Sequence, residues 1–132
     1  MNLFEILGIV LMAAVLALAL WRGGRAERRV ALVTAMAWAA STLVDSPEGG
    51  AVQWRILIID VALTGYLLVE ALTSARKWTV FAFLAQMMIV MTHLAALGHE
   101  GILVWGFFTA YYVWSYAVLA ALLVGTLTAR RA

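Results

Sequence analysis

The residues of this chain that could do chemistry are few, and most lie where ionisable groups are hardest to keep. The stretch from Trp54 to Trp78, WRILIIDVALTGYLLVEALTSARKW, has the length and composition of a membrane-spanning helix, yet it carries Asp60 well inside and Glu70 nearer its far end. Ionisable groups at that depth are functional candidates by default. The next stretch, WTVFAFLAQMMIVMTHLAALGH, carries Thr79, Gln86 and His93 seven residues apart, which puts them close to one helical face. At 1.5 Å per residue, Asp60 lies roughly 8–9 Å inside the Trp54-Arg55 end, and His93 roughly 7–8 Å below the Gly98-His99 turn. The connection between the two stretches is short, so they should be antiparallel neighbours. Asp60 and His93 are therefore expected to meet, with Gln86 deeper and Thr92 near the ring. A carboxylate there satisfies an imidazole N–H that lipid cannot. Two roles suit the pair: a proton-handling site, or interhelical glue in which buried polar groups hydrogen-bond to fix packing. The second is favoured.

Other groups weigh less. Asp60 and Glu70 are ten positions apart, about 80° off a shared face at 100° per residue, so they do not form a single-file relay. Glu70 stands one to two turns from Arg76 and Lys77 and reads as their interfacial ion-pair partner. His93 and His99 are six residues apart on one segment and cannot grip one haem iron from opposite faces, and His99-Glu100 reads as an exposed outer turn. Met87, Met88 and Met91 read as packing filler rather than a copper box. With no cysteine there is no thiol chemistry and no disulfide. No metal site and no catalytic set can be assembled, and no cofactor is predicted. In the last apolar stretch Thr109, Tyr112 and Tyr116 form a hydroxyl-bearing face, with Tyr111 and Ser115 alongside. A phenol at mid-membrane wants a partner, which a neighbouring helix, a quinone carbonyl or a pigment could supply; core packing is the favoured answer.

The elements that must hold these groups follow from composition. The chain of 132 residues is 66% hydrophobic, and its mean hydropathy is +1.00. An ordinary soluble domain is about half apolar, so the expectation is one all-α integral membrane bundle comprising the whole chain. The net charge of +2 comes from basic residues in short loops beside apolar runs, where they set orientation; nothing resembles a basic nucleic-acid-binding domain. Leu3 to Leu20 is apolar, and Ala17 and Ala19 could pass for a cleavage site. A secretory signal, however, carries positive charge before its apolar core, whereas here Glu5 precedes it and Arg22, Arg25, Arg28 and Arg29 follow. That asymmetry reads as a retained anchor with its N-terminus outside.

The second run, Val30 to Val44, is short for a span, which needs about 20 apolar residues. Charge decides. With helices at about 3–21, 27–45, 54–73, 78–97 and 102–127, five crossings put every Lys and Arg except Arg55 on one side; without the second span the nine cations split five against four. The bias of cations towards the cytoplasm favours five crossings, N-terminus out and C-terminus cytoplasmic. Trp54, Arg55, Arg76, Lys77, Trp78 and Trp105 read as interfacial anchors. Ala117, Ala121 and Gly125 form a small-residue line at spacing four, and Ala35 and Ala39 mark a similar surface on the second helix, both suited to close helix packing. Pro47 and Gly49-Gly50 close an acidic outer loop, DSPEGG.

Arg76-Lys77-Trp78, Gln86, the Thr92-His93-Leu94 triplet and Trp114-Ser115-Tyr116 together resemble small polytopic inner-membrane proteins of bacteria that have no assigned activity. The resemblance covers the last two-thirds of the chain. It implies a bacterial cytoplasmic membrane and transfers no function and no site residue.

Three functional classes fit. The first, and favoured, is an accessory or scaffolding subunit of a larger membrane complex, for example a respiratory or photosynthetic one, with lipids and other membrane subunits or copies of itself as partners. The second is a small proton-coupled transporter or channel using Asp60 and His93; paired Gly/Pro breaks of the kind that mark transporter sites are missing from its helices. The third is a quinone- or lipid-binding protein using Tyr112, Tyr116, Gln86 and His93. An enzyme is the least supported.

Overall fold

A computed structural model describes residues 3–44, 54–98 and 104–129. They form five α-helices: α1 (Leu3–Arg22), α2 (Arg25–Val44), α3 (Trp54–Thr73), α4 (Trp78–Gly98) and α5 (Val104–Thr128). Among the described residues there is no strand. The expected boundaries lie within a residue or two of these; α2 begins two residues early because Arg28 N–H already bonds Gly24 O at 3.0 Å. Residues 45, 102 and 103, expected as helix ends, lie outside the described part.

Local chemistry explains the turns. At Gly23 the chain folds back so tightly that an added Cβ would collide with Ala19 O and lie 2.7 Å from Glu27 Cβ. Only glycine fits there, so α1 stops and α2 starts across two residues. Between α3 and α4, Ser74 N–H closes the last turn on Glu70 O at 2.8 Å, and Thr79 Oγ1 donates to Arg76 O at 2.6 Å.

The helices pack as a closed ring in chain order, each against its neighbours and α5 against α1, with α2 also reaching α5; the α4–α5 interface is the most extensive. One core cluster is built around Leu16, Val30, Leu63, Leu67, Ala82 and Leu122, with Trp78 within it. A smaller one joins Ala85, Ile89 and Val118, with Tyr111, Trp114 and Ala117 packed on it. Large apolar side chains also point outward from every helix, among them Val10, Met36, Ile58, Phe81 and Val113. A soluble monomer rarely leaves such a surface open. Three helical stretches are long and apolar enough to cross a membrane: Trp54–Thr73, Trp78–Ala95 and Thr109–Thr128. Ile6–Arg22 is a shorter apolar helix.

Two expectations about surfaces are corrected. Trp78 is not an interfacial anchor: it is 5% exposed, and its indole lies where a Cβ on Gly125 would be, at 2.5 Å. The missing side chain at position 125 leaves the space that the ring occupies. Ala39 is exposed, because the packed face of α2 runs through Glu27, Val30, Ala31 and Thr34 and position 39 is turned about 140° from Thr34. Ala35, Ala117 and Ala121 are half-buried against the two clusters, and Gly125 is buried.

Candidate functional site

On α3 the buried residues are Leu57, Asp60, Leu63, Leu67 and Glu70. Steps of three and four keep them within one broad side of a helix, so both carboxylates turn inward with the leucines although Asp60 and Glu70 stand about 80° apart around the axis. On α4 the seven-residue spacing does the same for Thr79, Gln86 and His93, all buried.

Where the two stripes face each other, three side chains join. His93 Nε2 lies 2.8 Å from Asp60 Oδ2. Gln86 Nε2 donates to Asp60 Oδ1 at 3.2 Å and to the Asp60 carbonyl at 3.3 Å. That carbonyl also accepts the Thr64 hydroxyl at 2.7 Å. A carboxylate accepts and cannot donate, so the set is consistent if His93 carries its proton on Nε2. Nothing about the pair is wet: the side chains of His93 and Asp60 are 4% and 7% exposed. The structure thus brings together Asp60, His93 and Gln86. Thr92 does not join them; its hydroxyl returns to Met88 O on its own helix at 2.8 Å, the usual outlet for a threonine inside a helix.

Tyr111 of α5 completes the surroundings. Its ring meets the His93 ring edge-on, with centroids 5.6 Å apart and planes at 85°, and Tyr112 in turn stands edge-on to Tyr111 at 6.3 Å. Sequence spacing pointed to Tyr112 and Tyr116 as the ligand-facing residues, whereas it is Tyr111 that touches the histidine. Tyr116 faces α1, where an added Cβ on Gly8 would lie 3.2 Å from its hydroxyl. Thr109 is exposed. Tyr116 therefore belongs to the α1–α5 interface, whereas Gln86 belongs to the α3–α4 interface.

A second polar cluster occupies the other end of the bundle, and it corrects the expected pairing of Glu70. Instead of Arg76 and Lys77, Glu70 takes Arg29 of α2, with Nε at 2.8 Å and the second guanidinium nitrogen at 3.2 Å, and the Tyr66 hydroxyl at 2.8 Å. Its buried stripe turns it towards α2, away from the loop that follows its own helix. Arg76 instead bonds Gly125 O at 2.8 Å and Thr128 Oγ1 at 3.1 Å. It also reaches Glu27 Oε1 at 2.9 Å, a charge contact without hydrogen-bond alignment. Arg76 is thus a tie between helices rather than a membrane anchor. Tyr66 was legible as the i−4 neighbour of Glu70, but Arg29 and Glu27 came from a different helix and had no signal in the spacing. Trp54, Arg55 and Lys77 are exposed, as the anchor reading requires; the side chain of Trp105 and residues His99 and Glu100 lie outside the described part.

Within the described residues, no three His, Cys, Asp or Glu side chains gather as a metal-binding group. The Asp60–His93 hydrogen bond of 2.8 Å ties α3 to α4, and Gln86 holds the other carboxylate oxygen. An all-helical bundle with three apolar spans and an ionisable pair between two of them has the makeup of a helical membrane protein. No family model matches the chain, and no curated protein or solved structure does.

Proposed function

We propose that the chain is a small inner-membrane protein of bacteria that crosses the bilayer five times, N-terminus outside and C-terminus cytoplasmic, and serves as an accessory or scaffolding subunit of a larger membrane complex. The observation that carries the subunit reading is the pairing of the interior. Each buried carboxylate among the described residues is engaged within the chain: Asp60 by His93 and Gln86, Glu70 by Arg29 and Tyr66, Glu27 by Arg76. Such groups lock helices to one another and leave the outward apolar faces as the surface for lipid or partner subunits. Five crossings are supported by the ring packing, in which α1 and α2 stand beside the three apolar helices, and by the gathering of Arg22, Arg25, Arg28, Arg29, Arg76 and Lys77 at one end.

Mild detergent extraction followed by native mass measurement tests the subunit reading. Co-migration with other membrane subunits is expected, and a lone monomer from the native membrane overturns it. The topology has its own test, made clean by the absence of cysteine. Ser46→Cys and Ser74→Cys should react with an impermeant maleimide from opposite sides, and labelling from the same side removes the five-span arrangement.

A proton-coupled transporter is the second reading, favoured by one observation: an acid and an imidazole share a hydrogen bond in the bundle interior. In liposomes, pH-dependent flux that is lost in Asp60→Asn would move the conclusion to transport. Equal flux in both proteins removes that alternative. The reading in which Tyr112, Tyr116, Gln86 and His93 bind a quinone or lipid loses support at that site, because Gln86 and His93 are committed to Asp60 and Tyr116 to α1.

A further inference from the structure

The ion pairs at the basic end divide its cations into two kinds. Arg29 and Arg76 are taken by Glu70 and Glu27. Glu27, the one acid in the first turn of α2, is turned inward and 2% exposed. Its other oxygen would lie 3.2 Å from a Cβ on Gly24, so it cannot offset charge at the surface. Among the described residues that leaves Arg22, Arg25, Arg28 and Lys77, all exposed, with no acidic side chain against them. Arg22 lies over the ring of Trp21 at 6.0 Å, and that indole is 70% exposed. A strongly exposed tryptophan beside unpaired arginines, at the rim of an apolar surface, matches the chemistry of a phospholipid interface: ring among headgroups, cations on phosphates.

We propose that the α1–α2 corner, with Trp21, Arg22, Arg25 and Arg28, and Lys77 beside it, binds the phosphodiester headgroup of an anionic phospholipid in preference to a zwitterionic one. The proposal rests on the membrane reading above. It is carried by charge complementarity: among the described residues the two acids at this end are spent on Arg29 and Arg76, so the charged side chains these residues turn outward there are cationic. The opposite end differs, since the described residues there offer only Arg55 as a cation.

The test uses the full chain in detergent with an equimolar mixture of phosphatidylglycerol and phosphatidylcholine of matched acyl chains, the retained lipids being counted by native mass spectrometry. The wild type should retain phosphatidylglycerol preferentially. R25Q/R28Q should weaken that preference by roughly fivefold for each charge removed, and R22Q/K77Q should weaken it comparably should the first variant misfold. R55Q should leave it unchanged. Equal retention of the two lipids by the wild type, or a preference untouched in both double variants, overturns the proposal. So does displacement of the lipid by millimolar inorganic phosphate, which would identify a soluble-anion site. Sedimentation with pure phosphatidylcholine vesicles after carbonate washing separates the two levels. A chain that inserts there but shows no anionic preference defeats this inference alone, and one that fails to insert defeats the membrane reading as well.

Discussion

The bundle holds two polar clusters built on the same stripe of α3, ten residues and about 15 Å apart, and they solve burial differently. At the basic end the carboxylates are buried and the guanidinium groups are not: Glu70 is 5% exposed against 53% for Arg29, and Glu27 2% against 32% for Arg76. Long arginine stems let the charge reach water while the acid stays inside. In the Asp60 cluster no partner has such a stem. Aspartate, histidine and glutamine are all buried, and each depends on the others for its hydrogen bonds. The lesson is that depth dictates partner type. Near the rim an acid can be matched by a flexible cation, but towards the middle it needs a short, rigid group held on a facing helix.

That contrast can be broken by experiment, beginning where the largest effect is expected. Asp60→Ala strands the His93 and Gln86 donors in the interior and should lower unfolding stability by on the order of 3 kcal/mol, read by denaturant titration in micelles. Arg29→Ala leaves Glu70 with Tyr66 and access to the rim, and a loss as large as that of Asp60→Ala would show the two ends to be energetically alike. Gly125→Ala comes next. Its Cβ would meet the indole of Trp78 at 2.5 Å, a rigid ring in a packed site, and a loss of about 1–3 kcal/mol is expected. Unchanged thermal stability would mean that the ring moves aside and that Trp78 does not fasten α4 to α5.

A smaller effect sharpens the comparison. A double-mutant cycle of Asp60→Asn with His93→Gln should show coupling of about 1 kcal/mol that does not respond to added salt. The corresponding cycle of Arg29→Gln with Glu70→Gln should show coupling that shrinks at high salt, because half-exposed charges are screened and buried ones are not. Additive losses in the first cycle would mean that Asp60 and His93 do not interact. The smallest change expected is in Thr109→Val, an exposed position on the face once read as ligand-binding. Stability should stay within about 0.5 kcal/mol of the wild type, as at an exposed position, and a larger drop would show that the Thr109 hydroxyl contributes to holding α5 in place.

Much of this was readable from the amino-acid order. Helix length follows from the apolar runs, because a chain in lipid must satisfy its backbone internally and a helix does so locally. The meeting of Asp60, Gln86 and His93 was legible for a related reason: α3 and α4 are joined by a short turn, so counting residues from that turn fixes which positions share a height. The seven-residue spacing on α4 then sets Gln86 and His93 on one face, and the structure supplies the leucine stripe that turns Asp60 towards it. Tyr111 was harder to choose than Tyr112, since adjacent residues point about 100° apart and only the packing of α5 on α4 selects between them.

What the order of residues determined by itself is whatever depends on one helix or on two joined by a tight turn: the lengths of the rods, the height of each polar group and the shared face of Thr79, Gln86 and His93. What only the tertiary structure decided is which of several cations meets which acid, and which small residues are covered. Arg29 took Glu70 and Arg76 took Glu27, while Trp78 sank against Gly125 and Ala39 stayed outside. Those choices depend on the rotation of each helix about its own axis, and that rotation is set by side-chain packing from helices far apart in sequence, whose contacts no local spacing contains.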